Sequence, residues 1–174
     1  LALSLGCSAF AESPTELRAA IDADYKEHLW QLFDHWHRNP ELSLMETKTA
    51  ARLAEELRDA GCKVREGVGG TGVVAIMENG PGPMVMMRAD MDGLPIAERS
   101  GLSNASTATQ KSPITGQVVP VMHACGHDVH ITSLVGTARR MASIKDQWSG
   151  TLMLIGQPAE ERVMGARLMM EDNL

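Results

Sequence analysis

Apolar residues recur at helical spacing over the first forty residues of the chain. Ser13, Pro14 and Glu16 predict a helix start, because Ser is a good cap, Pro fits the first turn and Glu closes a capping box. Asn39 predicts the helix end, since a residue directly before proline avoids helical backbone angles. One helix is therefore predicted, with an apolar stripe formed by Leu17, Ile21, Tyr25, Leu29, Leu32 and Trp36.

A second helix is predicted over residues 46–60, with Leu53 and Leu57 facing inward and Gly61 as its C-terminal cap. The apolar pattern then changes to short runs bounded by glycine and proline, which is typical of buried strands. These runs are residues 71–77, 83–88 and 151–155.

Three further segments complete the prediction. We expect a polar surface loop over residues 100–116, a helix over 129–144, and a last helix that begins near 164 and is still in progress at Leu174. Helices that alternate with short buried strands predict the α/β class.

Length and composition indicate a single domain with a negative net charge. The 174 residues are enough for one hydrophobic core. The chain has 16 basic and 22 acidic residues, a net charge of −6, and no basic block. This balance argues against nucleic acid or an anionic membrane as a partner.

The first eleven residues are apolar and end in Ala9-Phe10-Ala11, the small-x-small pattern that precedes a signal peptidase cut. They are too few to cross a bilayer as a helix. We interpret residues 1–11 as the remnant of a signal peptide, place the domain at residues 12–174, and expect export to the periplasm or the cell exterior. A buried N-terminal strand and a lipid anchor at Cys7 are the alternatives.

A dense group of metal-ligating side chains occupies residues 123–130, His-Ala-Cys-Gly-His-Asp-Val-His. Cys125 and His127 are two positions apart, and a thiolate together with an imidazole suits zinc or a similar divalent ion. A nucleophilic Cys125 with a histidine base is the rival chemistry, and a buried cysteine beside surface histidines is the structural alternative. We predict no disulfide between Cys62 and Cys125, because two cysteines alone make no disulfide framework.

Glu160 and Glu161 form a carboxylate pair at the end of a predicted strand. Neighbouring side chains of an extended chain point to opposite sides, so one carboxylate can bind a metal while the other takes a proton from the attacking water. The alternative is a solvated acidic helix start.

Asp90 and Asp92 directly follow another predicted strand. They are candidates for metal ligands, for groups that orient a histidine, or for turn-forming residues before Gly93. His37 lies at a predicted helix end, where a structural role is the better interpretation.

Four segments together resemble one branch of the carboxypeptidase-G-like metallopeptidases, which contains aminoacylases, hippurate hydrolases and auxin-conjugate hydrolases. They are residues 37–43, 88–96, 122–130 and 157–161, in the family's order and at similar spacing. The resemblance runs from about Leu29 to the end of the chain. It implies a mixed-sheet, zinc-peptidase-like catalytic domain that is incomplete here, with the family's lid domain and two further histidine ligands lying beyond Leu174.

The resemblance also implies a role for each matching residue. Cys125, His127 and Glu161 match metal ligands of a site for two divalent ions (zinc, manganese or cobalt), and Glu160 matches the general base. Asp90 and Asp92 fall where related peptidases keep His-x-Asp, and neither is assigned as a ligand.

The function implied is hydrolysis of the amide bond of N-acyl amino acids or similar small amides, by water that Glu160 deprotonates. The alternatives are a non-catalytic binding protein on the same fold and a cysteine hydrolase that uses Cys125. We expect a small-molecule substrate, and a homo-oligomer is possible for the full-length protein. Residues 12–174 alone are expected to be inactive, to bind metal weakly and to be poorly soluble.

Overall fold

The computed structural model describes residues 13–174, so the predicted leader over residues 1–11 lies outside the described part of the chain. The predicted first helix is present as one helical run with an irregular centre. It consists of α1 (Pro14–Asp24), a π-helical turn (Tyr25–Leu29) and α2 (Trp30–Arg38). The capping box is formed as predicted, with the backbone N–H of Ser13 donating to the Glu16 carboxylate over 2.9 Å.

The two ends of this run differ in burial. Leu32 and Trp36 are buried in the core, whereas α1 has no buried residue. Leu17, Ile21 and Tyr25 are exposed, so the N-terminal half of the predicted stripe is not part of the core. This half is tied down instead by an ion pair between Asp24 and Arg139.

The remaining elements alternate as the α/β prediction requires. In chain order they are α3 (Thr47–Asp59), β1 (Lys63–Val68), β2 (Gly72–Asn79), β3 (Met84–Asp90), β4 (Thr109–Lys111), β5 (Val118–Pro120), α4 (His127–Ser143), β6 (Gly150–Gln157) and α5 (Gly165–Glu171). Short 3-10 turns at Lys145–Gln147 and Glu160–Arg162 flank β6.

The main sheet has the strand order β1-β2-β6-β3. Strand β2 runs antiparallel to both β1 and β6, whereas β3 runs parallel to β6. The sheet is therefore mixed, and the predicted α/β class with a mixed sheet is confirmed.

Three elements differ from the predictions. Strand β1 was not predicted, because four of its six residues are exposed and its apolar content is low. The hairpin of β4 and β5 begins within the predicted loop 100–116 and carries mainly exposed side chains. Helix α5 ends at Glu171, so the prediction of a helix still in progress at Leu174 is wrong. Asn173 has a φ of 60°, a left-handed conformation that does not continue a helix.

The core lies between one face of the sheet and helices α2, α3 and α4. Leu53 and Leu57 of α3 are fully buried, as predicted, together with Leu154 of β6. Gly156 of β6 lets α3 approach closely, because a Cβ at this position would lie 2.5 Å from Cδ2 of Leu53. A smaller cluster on the other face packs Met169 of α5 against the sheet.

Strand direction places the chemical motifs at one edge of the sheet. Because β3 and β6 are parallel, their carboxyl ends lie side by side, with Asp90 paired to Gln157. An isolated antiparallel bridge joins Leu94, just after β3, to Met122, just before the 123–130 motif. The segments after β3 and β6 and the start of α4 therefore meet.

No helix within residues 13–174 has both the length and the apolar character needed to cross a membrane.

The core packing predicts the cost of losing Leu53. Leu53→Ala should lower the free energy of unfolding by about 2–5 kcal/mol, because it removes buried apolar atoms and leaves a cavity under Gly156. Leu102→Ala is the matched control, since Leu102 is 60% exposed, and it should change the free energy by less than about 0.5 kcal/mol. Denaturant titration measures both, and equal effects would contradict this account of the core.

Candidate metal centre

His127 is the central side chain of the site. It is buried at the first position of α4, directly after Gly126, whose φ of 80° suits glycine. Nδ1 of His127 lies 2.8 Å from the backbone oxygen of Asp92. Because a carbonyl oxygen only accepts, Nδ1 must carry the hydrogen, which leaves the Nε2 lone pair of the neutral ring free for a metal.

Three carboxylates surround Nε2 of His127. The distances are 3.5 Å to Asp90, 3.7 Å to Glu160 and 3.8 Å to Glu161. Donor atoms of His127, Glu160 and Glu161 all lie within 4.8 Å of one another. A second group with the same spacing consists of Asp90, His127 and His130.

One member of this second group, His130, was given no role from the sequence. His130 is hydrogen-bonded to Asp90, and its ring stacks on that of His127 with centroids 5.5 Å apart. Arg88 also pairs with the carboxylate of Asp90. The sequence signal for His130 was its place in the dense 123–130 motif, three residues after His127.

Cys125 is an exposed free thiol two residues before His127. A hydrogen bond to Glu161, with smaller contributions from burial and from the charges of Glu161, Glu160 and Asp90, raises its pKa to about 11. A nucleophilic cysteine needs a lowered pKa and an imidazole partner, whereas this thiol is partnered by a carboxylate. These surroundings therefore disfavour Cys125 as a nucleophile. Its role as a metal ligand stays a prediction, because neither donor group of the described residues includes Cys125.

The neighbouring carboxylates also determine the pKa of His127. Burial lowers its pKa, but the hydrogen bond to Asp92 and the charges of Asp90 and Asp92 outweigh burial and raise the pKa to about 8. A cluster in which four carboxylates face one imidazole has an excess of negative charge, which a divalent cation would neutralise. Sulfur, nitrogen and carboxylate donors together suit zinc and its neighbours, so the residues present fit a metal.

Glu160 and Glu161 lie on a tight turn rather than at an extended strand end, and here the sequence prediction of opposite side-chain directions is wrong. Ala159 adopts a left-handed conformation with a φ of 47°, and a 3-10 turn follows at Glu160–Arg162. This reversal brings both carboxylates to the same nitrogen of His127. The Glu160 side chain is 39% exposed and that of Glu161 is 16% exposed.

Asp92 holds this turn in place. Its carboxylate oxygens accept the backbone N–H groups of Glu160 and Glu161 over 3.0 and 3.1 Å, and the hydroxyl of Ser43 donates over 2.5 Å. Burial raises the pKa of Asp92, but these hydrogen bonds and the contact with His127 outweigh it, so the pKa lies below the ordinary value. Of the three roles open to Asp92, the structure favours orientation of His127 and of the turn.

His37 lies behind the site and makes the contacts of a structural residue. Its Nδ1 is 2.7 Å from Asp128, next to His127 in sequence, and its Nε2 is 3.3 Å from Glu98. Burial lowers the pKa of His37, but the hydrogen bond to Asp128 and the charges of Asp128 and Glu98 outweigh it and raise the pKa.

Comparison with known proteins matches this site to one family. The sequence profile of Peptidase family M20/M25/M40 matches residues 86–174. The chain is 47% identical over 139 residues to thermostable carboxypeptidase 2 of Saccharolobus solfataricus, covering 78% of this chain and 33% of that protein. It is 42% identical over 139 residues to the hippurate hydrolase of Campylobacter jejuni, covering 79% of this chain and 33% of that protein.

A solved structure shows the same fold. The YXEP protein of Bacillus subtilis, described as a dinuclear metal-binding peptidase from the M20 family, superposes with a TM-score of 0.75 at 33% identity. The superposition covers 87% of this chain and 40% of that chain. The chain thus spans about a third of the length of the two curated relatives and two fifths of the solved one.

The ion pairs of His37 predict a pH-dependent stability. A raised pKa means that His37 stabilises the fold fully below its unfolded pKa of about 6.5, and that this contribution is lost as the pH rises through the folded pKa. The difference in free energy of unfolding between the wild type and His37→Gln should therefore be larger near pH 6 than near pH 9. Denaturant titration across that range measures it.

His35 on the same helix provides the control. Burial lowers the pKa of His35, so the difference between the wild type and His35→Gln should change with pH in the opposite direction. The same pH trend for both histidines would show that Asp128 and Glu98 do not stabilise the charge of His37.

Proposed function

Because this chain belongs to Peptidase family M20/M25/M40, we propose that the protein in its full length is a metal-dependent amidohydrolase that cleaves N-acyl amino acids or similar small amides. Family membership confirms the resemblance that the four motifs indicated. The observation that carries the proposal is the convergence of Glu160 and Glu161 on the free nitrogen of a buried, oriented His127.

The donor atoms divide into ligands and a base. Metal would be held by Cys125, His127 and Glu161. The side chains of His127 and Glu161 are less exposed than that of Glu160, and Cys125 offers a soft sulfur donor. Divalent metal supplies a Lewis acid that polarises an amide carbonyl and makes water more acidic. Glu160 is the more exposed carboxylate of the pair, and in the proposal it takes the proton of the attacking water and delivers it to the leaving amine.

We propose two divalent ions, either zinc, manganese or cobalt, as the cofactor. Two observations support this number. The described residues contain two overlapping donor groups that share His127, and the Bacillus structure is described as dinuclear. Because the free nitrogen of His127 can bind only one ion, the second ion would rely on the other donors of these two groups.

A small cavity beside Glu161 suits the substrate. Its volume is about 250 Å³, and its lining includes Leu42, Leu94, Ile114, Glu161 and Arg162. No carboxylate within residues 13–174 forms an ion pair with Arg162. An N-acyl amino acid has a free carboxylate and an apolar acyl group, which match the guanidinium and the apolar wall. The name of the Campylobacter relative points to hippurate, a compound of this kind.

Two alternatives make different predictions. A cysteine hydrolase requires a reactive Cys125 thiolate, which the neighbouring carboxylates disfavour. A non-catalytic binding protein has no need of an exposed carboxylate beside the metal ligands, and Glu160 is such a group. Export and oligomerisation are part of the proposal only as predictions from the sequence.

The division into ligand and base predicts different effects for neighbouring substitutions. In the full-length protein, Glu160→Gln should retain its metal but lower kcat by about two to four orders of magnitude, the usual contribution of a general base. Cys125→Ala should lose metal, because it removes a ligand. Metal analysis of the purified variants and steady-state hydrolysis of an N-acyl amino acid measure these effects.

Chelation is the control for this experiment. Removal of the divalent metal should abolish hydrolysis in the wild type, and addition of zinc, manganese or cobalt should restore it. Full activity of a verified metal-free preparation would contradict the proposal. Loss of metal from Glu160→Gln equal to that from Cys125→Ala would contradict the assignment of Glu160 as base.

Arg162 predicts a preference for anionic substrates. Arg162→Gln should raise KM for an N-acyl amino acid about 10- to 100-fold, the worth of a hydrogen bond between charged groups. KM for the corresponding amino-acid amide, which lacks the carboxylate, should stay the same. Arg167→Gln is the control, because Arg167 lies on α5 and pairs with Glu171. Equal effects on both substrates would exclude this role for Arg162.

A further inference from the structure

We propose that Glu46 is a positioning residue, whose buried carboxylate holds the left-handed turn at Ala159 so that Glu160 and Glu161 point towards His127. This inference rests on the proposed function for its catalytic consequence. Glu46 is far from the site in sequence, directly before α3, and its carboxylate hydrogen-bonds to neither of the two side chains that it would position.

The carboxylate of Glu46 joins three separate segments. Oε1 accepts the backbone N–H of Ala159 over 2.8 Å and that of Leu44 over 3.0 Å. Oε2 accepts the hydroxyl hydrogen of Thr71 over 2.6 Å. The side chain thus connects the start of α3, the turn before β2 and the turn that follows β6.

The contact with Ala159 is made where the backbone needs support. Ala159 has a φ of 47° and a ψ of 43°, a left-handed conformation that is unfavourable for any residue with a Cβ. Such conformations persist when surrounding contacts determine them. The hydrogen bond from Ala159 to Glu46 is one such contact, and the tight packing of Gly165 against the oxygen of Pro158 is another.

Three successive N–H groups of this turn bind buried carboxylates. Ala159 donates to Glu46, and Glu160 and Glu161 donate to Asp92. Asp92 also orients His127 directly, whereas Glu46 acts only through the turn. Two carboxylates thus hold the backbone of the turn, and the side chains of Glu160 and Glu161 that it carries both approach Nε2 of His127.

Glu46 is an unusual carboxylate for a purely structural role. It is fully buried, and no Lys, Arg or His within residues 13–174 forms an ion pair with it. Burial raises its pKa, and only hydrogen bonds from uncharged groups oppose this effect. Glu56 on the same helix is also buried, but it has Arg52 and His28 as partners. Because no cation in the described part of the chain compensates the buried charge of Glu46, we infer that its oxygen atoms are needed as hydrogen-bond acceptors.

A matched pair of variants tests this requirement in the full-length protein. Glu46→Gln keeps an acceptor at Oε1 for Ala159 and Leu44, and its amide can donate to Thr71. Glu46→Met has a similar size but no acceptor for Ala159. We expect kcat about 10- to 100-fold lower in Glu46→Met, because small misplacements of reacting groups cost this much. KM should change less than about threefold, and Glu46→Gln should stay close to the wild type.

Two readouts are independent of turnover. Hydrogen exchange of the Ala159 amide should be about tenfold faster or more in Glu46→Met, since the amide loses its acceptor. Zinc affinity, measured by titration of metal-free protein, should fall about tenfold, as expected when a group that orients ligands is lost. Glu56→Gln is the control, because it alters a buried carboxylate of α3 without contact to the turn.

Ala159→Gly separates positioning from a general loss of structure. Glycine adopts the left-handed conformation readily, so Ala159→Gly added to Glu46→Met should recover about fivefold in kcat. No recovery, together with a loss that Glu56→Gln reproduces, would show that Glu46 is only structural. Wild-type kcat and unchanged exchange at Ala159 in Glu46→Met would overturn the proposal outright.

Glu46→Asp tests the positioning role of Glu46 if Glu46→Met does not fold. It keeps the charge, but its shorter side chain cannot reach Leu44 and Ala159 together, so faster exchange at Ala159 and a lower kcat are expected. Normal exchange and normal kcat in this variant would also refute the proposal. If the wild type hydrolyses no N-acyl amino acid, the proposed function fails, while the exchange and zinc measurements still test the role of Glu46.

Discussion

The whole site depends on one buried residue, Asp92. Its backbone oxygen fixes the hydrogen of His127 on Nδ1, and its carboxylate binds the N–H groups of Glu160 and Glu161. These partners come from α4 and from the segment after β6, which the parallel pairing of β3 and β6 brings to one edge of the sheet. A displacement of Asp92 therefore moves the imidazole and both carboxylates together, and the donor atoms cannot be arranged independently of one another.

The site also shows how the chain tolerates crowded negative charge. Asp90, Glu160 and Glu161 all lie within 3.8 Å of His127, and Asp92 lies behind it. Backbone N–H groups stabilise Asp92, whereas Arg88 and His130 stabilise Asp90. Within residues 13–174, the ion pairs of Glu160 and Glu161 are made with His127 alone. The negative charges of Asp90 and Asp92 are therefore stabilised by neighbouring groups, whereas those of Glu160 and Glu161 remain available to a metal ion.

Local sequence was sufficient to predict most of the fold and three of the clustered donors, His127, Glu160 and Glu161. Strands β2, β3 and β6 contain continuous apolar runs, and the residues around His127 are dense in ligating types. Strand β1 and the hairpin were missed because their exposed side chains follow no apolar period. The turn at Ala159 was missed because its conformation depends on Glu46, 113 residues earlier in the chain. Long-range hydrogen bonds of this kind leave no periodic pattern in a sequence.

The placement of the two described cysteines also bears on redox chemistry. Thiol–disulfide exchange proceeds through the thiolate, so a raised pKa slows it. Burial raises the pKa of Cys62, and the carboxylate of Glu161 raises that of Cys125. In the metal-free protein both thiols are therefore poor participants in oxidation, although Cys125 is exposed. The carboxylates around Cys125 thus slow its exchange with disulfides while no metal is bound.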